Sequence, residues 1–379
     1  MGSVQEIRDG FARVYGRADG VRVFRGPGRV NLIGEHTDYN LGFVLPMALD
    51  MASFIAAAPN GTATLRIYSD NLKAHAERPV ASLADAAPAK DWSDYPVGVA
   101  QQLVRAGFDV AGTDLFIHST VPVGSGLSSS AALETSTALA LLAGRAIDKI
   151  ELVKLCRRAE NEFVGMPCGI MDQYISVFGR EGAAVKIDCR SLENEVTPLP
   201  ASVAIFAVNT MVKHDLGASA YRERVRECAE AAAALGAASL RDVSVEQFEA
   251  GAQKIAPVPR KRAKHVVTED DRVQKFVLAS RAADLKQMGE LFVASHRSLQ
   301  HDYEVSCEEL DFLVDTAIAL PGVYGARMTG GGFGGCTVNL VAPEAAEAFR
   351  REIRVRYQTR FNLDPLIYNC IPAAGASEI

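Results

Sequence analysis

One stretch limits the fold more than any other: Pro122-Val123-Gly124-Ser125-Gly126-Leu127-Ser128-Ser129-Ser130-Ala131-Ala132, set between the strand-like run Thr113 to Ser119 and an Ala- and Leu-rich run reaching about Ala143. Glycines at that junction allow the positive φ values and close backbone approach of a sharp strand-to-helix turn. The helix that follows presents free N–H groups and the positive end of its dipole, and the serines add hydroxyls, so the turn is built to cradle a phosphate. It is not a Walker A loop, because no Lys-Ser/Thr pair follows the last glycine. It is not the glycine loop of a protein kinase either, since the chain contains no HRD or DFG triplet. Taken alone, such a loop also fits a purely structural turn.

Strand-like and helix-period stretches alternate from end to end, without an internal repeat, which predicts an α+β fold. With 379 residues, 48% of them apolar, the chain can bury two cores. The polar stretch ending in Pro198 and Pro200 precedes strand-like sequence from Ser202 to Val208, giving expected domains 1–197 and 198–379. Met51 to Ala58 and Thr62 to Ser69 flank the turn signal Pro59-Asn60-Gly61 and read as a β-hairpin. Ser128 to about Ala143 reads as a buried helix with a polar N-terminus. In the next helix Leu152, Leu155, Cys156, Ala159 and Phe163 form an amphipathic stripe that Glu160 borders. The C-terminal half offers three helical patterns and a strand pair, Val323 to Thr329 and Cys336 to Val341. Gly330-Gly331-Gly332-Phe333-Gly334-Gly335 joins that pair and is too glycine-rich for an ordinary turn.

A net charge of −6 without acidic or basic blocks leaves no footprint for nucleic acid or an anionic membrane. The compact cluster Arg260, Lys261, Arg262, Lys264 and His265 reads as solvated surface just before a helix. Seven scattered cysteines, with neither zinc-type spacing nor a disulfide pattern, fit reduced thiols in a cytosol. The N-terminal stretch lacks the apolar core of a signal peptide, and no apolar run is long enough to span a bilayer. The expectation is a cytoplasmic monomer acting on a small molecule, with no nucleic-acid or membrane partner.

Two further segments carry chemistry. Gly28-Arg29-Val30-Asn31-Leu32-Ile33-Gly34-Glu35-His36-Thr37-Asp38-Tyr39-Asn40 packs a guanidinium, two carboxylates, an imidazole, amides and a phenol beside apolar β-type sequence. Sugar hydroxyls, each both donor and acceptor, need that density of polar groups, although a polar surface turn looks the same. Gly165-Met166-Pro167-Cys168-Gly169-Ile170-Met171-Asp172-Gln173-Tyr174 sets one carboxylate among apolar neighbours, where an unpaired charge is costly. Asp172 is therefore expected to be paired or functional.

These segments coincide with the three signatures of the GHMP small-molecule kinases, and the chain closely resembles the galactokinase family. GRVNLIGEHTDYN stands at Gly28 to Asn40, VPVGSGLSSSAA at Val121 to Ala132 and RMTGGGFGGC at Arg327 to Cys336. GMPCGIMDQ from Gly165, IDCRS from Ile187, RAKHVVTE from Arg262 and IPAAGA from Ile371 extend the match over nearly the whole chain. The resemblance implies a two-domain GHMP kinase fold with the active site in the cleft between the domains. It also implies phosphoryl transfer from MgATP to the anomeric hydroxyl of D-galactose.

By the same resemblance Asp172 is the catalytic base, with Arg29 beside it to balance its charge and the charge developing on the transferred group. A role for Asp172 in orienting the hydroxyl stays open. Gly124, Ser125, Gly126, Leu127, Ser128, Ser129 and Ser130 would hold the phosphates, within reach of that pair. Ser130 and Glu160 correspond to Mg2+ ligands, a sparse set that suits an ion keeping its waters. Glu35, His36, Asp38, Gly169 and Tyr221 correspond to sugar contacts, with Asp38 the discriminator of the galactose configuration. Trp92, with Tyr95, corresponds to the adenine pocket, or else belongs to the core. Gly330 to Gly332 would let backbone approach the substrates. Kinases for N-acetylgalactosamine, arabinose or galacturonate stay open, because one or two pocket residues shift selectivity. So does a non-catalytic galactose and ATP sensor, against which the uninterrupted Ser128 to Ala132 run and the presence of Asp172 and Arg29 argue.

Overall fold

The computed structural model describes residues 4–213 and 217–379. Strands of the first half are β1 (Arg22–Asn31), β2 (Phe43–Val44), β3 (Pro46–Pro59), β4 (Thr64–Ser69), β5 (Ala74–Pro79), β6 (Thr113–Ser119), β7 (Ala183–Asp188) and β8 (Asn194–Pro198). Those of the second are β9 (Ala204–Lys213), β10 (Val323–Thr329), β11 (Gly334–Val341), β12 (Leu366–Asn369) and β13 (Ser377–Glu378). They build a six-stranded sheet ordered β13-β1-β3-β6-β4-β5, a four-stranded sheet ordered β10-β11-β9-β12 and a three-stranded sheet ordered β2-β7-β8. Helices α1 (Val4–Tyr15), α2 (Asp94–Arg105), α3 (Ser129–Leu142), α4 (Lys149–Arg158) and α5 (Met171–Phe178) accompany the first half. The second half carries α6 (Gly217–Ala234), α7 (Val245–Gly251), α8 (Pro257–Arg281), α9 (Leu285–Ser298), α10 (Glu308–Ile318) and α11 (Ala346–Phe361).

β3 runs through the middle of the large sheet and is covered on both faces, so it reads as a continuous apolar run rather than an alternating one. Phe11 and Ile7 of α1 pack with Val23, Phe54 and Phe116 on one face. On the other lies α3, buried on nearly every side as its Ala- and Leu-rich sequence requires. Its close approach to β1 depends on Gly26, where an added Cβ would stand 2.2 Å from Ala132 O. One core cluster joins the halves, bringing Val30, Leu32 and Leu45 together with Ile205, Phe276 and Val338. The chain end returns to the first sheet, with Ser377 and Glu378 opposite Arg25 and Phe24.

Several expectations change here. The strands around Pro59-Asn60-Gly61 exist but do not pair with each other: β6 lies between them, antiparallel to β3 and parallel to β4. Asn60 explains the parting, because its Nδ2 donates to Thr64 O and to Asp114 Oδ1 of β6, both at 2.9 Å. The corner is therefore held to the incoming strand instead of closing on itself, and the hairpin in this region is β4–β5. The amphipathic stripe expected to reach Phe163 leaves the α-helix at Arg158 and widens into a π-type turn, Ala159–Val164. The second half holds more helices than the three patterns read from sequence; α7, at seven residues, is too short to display a period.

The basic cluster lies inside α8 rather than before it, and part of it is buried. Arg262, 3% exposed, donates to Glu227 at 2.9 Å and pairs with Glu304 at 2.8 Å, while His265 is fully covered. Acidic partners from α6 and from the turn at residue 304 draw it in. All seven cysteines are free thiols. Among the described residues no helix is long and apolar enough to cross a membrane.

Candidate active site

The register of β1 against β3 shifts between Pro27 and Arg29, and such a bulge re-aims a side chain. Gly28 sits at that point with Leu127 O only 2.7 Å from where a Cβ would be, and Arg29 N–H donates to the same carbonyl at 3.0 Å. The strand is thereby held against the glycine loop. Arg29 Nε and Nη2 donate to Asp172 Oδ1 and Oδ2, each at 2.8 Å, and Nη1 donates to Gly126 O. The structure thus brings Arg29, Asp172 and the 124–130 loop together. Asp172 lies in the first turn of α5 with its side chain 22% exposed, accessible to a bound molecule.

The loop has Gly124 at φ 72° and Gly126 at φ 78°, conformations that suit glycine. Ser125 Oγ donates to Pro122 O at 2.8 Å and accepts from Leu127 N–H at 3.3 Å, so these two covered side chains brace the loop from within. Ser128 stands at the N-cap position of α3, but its hydroxyl donates to Asp172 Oδ2 rather than capping the helix. The first intrahelical bond runs from Ala132 N–H to Ser128 O at 3.1 Å. The N–H groups of Ser129, Ser130 and Ala131 therefore precede the helical ladder and are free for an anion.

Glu160 projects from the π-type turn, a distortion often found at functional sites. It is 7% exposed, and its Oε2 accepts from Gln173 Nε2 at 2.6 Å and from Cys168 Sγ at 3.4 Å; burial raises its pKa, the Asp172 charge adds to that, and the nearby Ser130 hydroxyl works the other way. Trp92 and Tyr95 line a cavity of about 190 Å³ with Ser129, Ser130, Leu133 and Ile117. Trp92 is at the same time packed against the core.

On the other side of Asp172 lies Asp38, whose pKa is pushed up to about 6 by burial first and by the Asp172 charge second. Gly169 makes room for it: a Cβ there would lie 1.4 Å from Asp38 Oδ2. His36, at φ 63°, sits 2.9 Å by Nδ1 from Tyr39 Oη, and burial pushes its pKa down to about 3, so the ring is neutral. Glu35 is 1% exposed and already employed by the protein. Its Oε1 accepts from Thr329 Oγ1 at 2.9 Å and Gly330 N–H at 2.6 Å, and its Oε2 from Asn31 Nδ2. Tyr221 stacks edge-on to Tyr39 with centroids 4.9 Å apart. Residues 214–216, within the Lys213 to Arg222 stretch read around Tyr221, lie outside the described residues.

The triple-glycine turn closes the site from the β10–β11 side. Gly330 lies against the 124–130 glycine loop, its would-be Cβ 3.6 Å from Gly126 O, and Cys336 Sγ donates to Ser125 O at 2.9 Å. Sequence reasoning passed over Glu134, Gln173, His265 and Arg327. A lone Glu in the Ala- and Leu-rich α3, and a Gln adjoining Asp172, were the available signals. His265 and Arg327 stood in quoted motifs without a role.

Residues 9–59 match the family described as the galactokinase galactose-binding signature, 94–180 the GHMP kinases N terminal domain and 276–358 the GHMP kinases C terminal domain. The chain is 44% identical to the galactokinase of Homo sapiens over 93% of this chain and 91% of that one. It is 42% identical to the galactokinase of Roseiflexus sp. (strain RS-1) over 99% and 97% of the two chains. The crystal structure of Lactococcus lactis galactokinase complexed with galactose matches with a TM-score of 0.95 at 35% identity, over 99% of this chain and 100% of that one. A mevalonate kinase structure, at 19% identity and a TM-score of 0.67, shares the fold. With the signatures, the fold and the assembled residues all in agreement, the chain belongs to the galactokinase family of GHMP kinases.

Proposed function

We propose that the chain transfers the terminal phosphoryl group of MgATP to the anomeric hydroxyl of D-galactose, giving galactose 1-phosphate and ADP. The observation that carries this reading is the bidentate Arg29–Asp172 pair, anchored to Gly126 of the anion-binding loop and flanked by the carboxylate of Asp38. The sugar oxygen attacks the terminal phosphorus, ADP leaves, and the hydroxyl proton passes to Asp172, or is only oriented by it as transfer proceeds. Arg29 balances charge on the phosphoryl group, and the N–H groups at the start of α3 hold the phosphates. Trp92 and Tyr95 take the adenine; Glu35, His36, Asp38, Gly169 and Tyr221 hold the sugar.

Ser130 and Glu160 offer one hydroxyl and one carboxylate near each other. Among the described residues no group of three or more His, Cys, Asp or Glu is assembled that could hold an ion by itself. Two oxygen donors fit Mg2+, which keeps waters and shares phosphate oxygens. Bound there, the ion would neutralise phosphate charge. The same reading takes the chain as a cytoplasmic monomer with units 1–197 and 198–379; the link between β8 and β9, residues 199–203, begins just past that boundary, and light scattering tests the oligomeric state.

A coupled ADP-release assay over galactose, N-acetylgalactosamine, arabinose, galacturonate and glucose tests the substrate, and galactose should give the highest kcat/KM. In Asp172→Asn, kcat should fall by about 10²–10⁴ while galactose binding, followed by calorimetry, persists. Full turnover in that variant would remove the role given to Asp172.

A further inference from the structure

Gln173 follows Asp172 on α5 and is fully buried. Its Nε2 donates to Glu134 Oε2 at 3.0 Å and to Glu160 Oε2 at 2.6 Å, so both amide protons are committed to carboxyl oxygens. Its Oε1 has no hydrogen-bond partner, and a buried acceptor left alone is costly. Packing by itself would favour an apolar side chain of the same length. What the amide does that such a side chain could not is bridge two acids. Glu134 is one helical turn beyond Ser130 on α3 and completely covered, so it is a fixed post. Glu160 Oε2 takes this amide at 2.6 Å and, more loosely, the Cys168 thiol at 3.4 Å, so the amide is its shorter tether.

We infer that Gln173 is a positioning residue for the metal: it ties Glu160 to Glu134 and so fixes the carboxylate that receives Mg2+ at a set place relative to its sequence neighbour Asp172. This rests on the reading of Ser130 and Glu160 as the metal ligands. Partners of metal ligands act by fixing ligand orientation, and their loss typically costs about 10–100-fold in metal affinity or activity. The chain contains the bridge in one short stretch, since the residue that would take the proton and the residue that would orient the metal ligand are adjacent on α5.

The test uses Gln173→Met, of similar length without donors, and Gln173→Glu, of similar shape with at most one donor, too few to bridge two acids. In both, the half-saturating Mg2+ concentration should rise about ten-fold or more. Mn2+ binding in the presence of ADP, followed by electron paramagnetic resonance, should weaken in step, independently of turnover. The KM for galactose should stay within about two-fold. Thermal-shift binding of galactose shows that each variant is folded. Glu160→Ala serves as the reference. If it weakens Mn2+ binding and Gln173→Met does not, the positioning role is overturned while the ligand assignment stands. If Glu160→Ala leaves metal dependence unaltered, the ligand assignment itself falls. A loss of melting temperature in Gln173→Met with unchanged metal affinity would reduce Gln173 to a packing residue and overturn the inference.

Discussion

Asp38 holds a carboxylate where solvation is poor and where Asp172 repels it, and both effects favour its protonated form. Its folded-state pKa, raised from 3.8 to about 6, makes the folded chain bind this proton more tightly than the unfolded chain. The resulting cost to stability is absent at acid pH, grows as pH rises from 3.8 through about 6, and is complete above that. Its ceiling is about 3 kcal/mol, and the partial exposure of Asp38 lowers it. Asp38→Asn should therefore melt higher than the parent chain at about pH 7.5 and lose that advantage near pH 4. With Asp38 as the sugar contact proposed above, the same variant should raise the galactose KM by about ten-fold or more with the ATP KM little changed, because a charged acceptor for a sugar hydroxyl would be lost. Differential scanning fluorimetry and steady-state kinetics read the two effects, and an unchanged melting temperature at neutral pH would contradict the strain assigned to Asp38. Gly169 belongs to the same account. The sequence marks it as a family position, but its reason, the Asp38 carboxylate pressed against its Cα, exists only in three dimensions.

At the scale of elements, the site is a meeting of loops held by strand and helix ends. The bulge in β1 aims Arg29, the glycine loop turns into α3, and the β10–β11 turn closes over both. Gly28→Ala tests how closely they must meet. A methyl group there faces Leu127 O at 2.7 Å, which must shift. Overpacking costs about 1–3 kcal/mol, and a displacement of about 1 Å at a reacting centre can lower a rate about 10²-fold. We expect kcat and kcat/KM for ATP to fall by at least about ten-fold while far-ultraviolet circular dichroism is unchanged. Elements with a clear local pattern were legible in advance. Thr113–Ser119 is a strand with the bounds read from sequence, and Ser128 to Ala143 brackets α3. The π-type turn was not, since Leu152, Leu155, Cys156, Ala159 and Phe163 keep a helical spacing through it. The widening that buries Glu160 leaves no mark on that period.

Across the whole molecule, a buried charge network couples the halves. Arg327 of β10 is fully covered; it donates to Leu32 O at 2.8 Å and Ser295 Oγ at 3.1 Å, with Glu35 at 3.6 Å and Glu269 at 3.8 Å as counter-charges. Burial works against the charge on Glu269, yet Arg272, His265 and Arg327 together hold its pKa well below the usual carboxylate range. Removing Arg327 takes away a counter-charge that buried Glu35 and Glu269 share, so Arg327→Met should lose about 3–5 kcal/mol in denaturant unfolding. Galactose affinity should weaken with it, since Glu35 is held in the same network. Read by itself, the chain determined the family signatures and the elements with a clear local pattern, such as Thr113–Ser119 and the Ser128 to Ala143 helix, because glycine placement, acid and amide density and apolar period are local properties. Only the tertiary structure decided that β6 parts β3 from β4, that Arg262, His265 and Glu160 lie inside, and that Gln173 bridges Glu134 and Glu160. The physical reason is that strand order, desolvation and hydrogen-bond partnership are set by neighbours remote along the chain, and a local pattern records a residue's own preference but not who meets it.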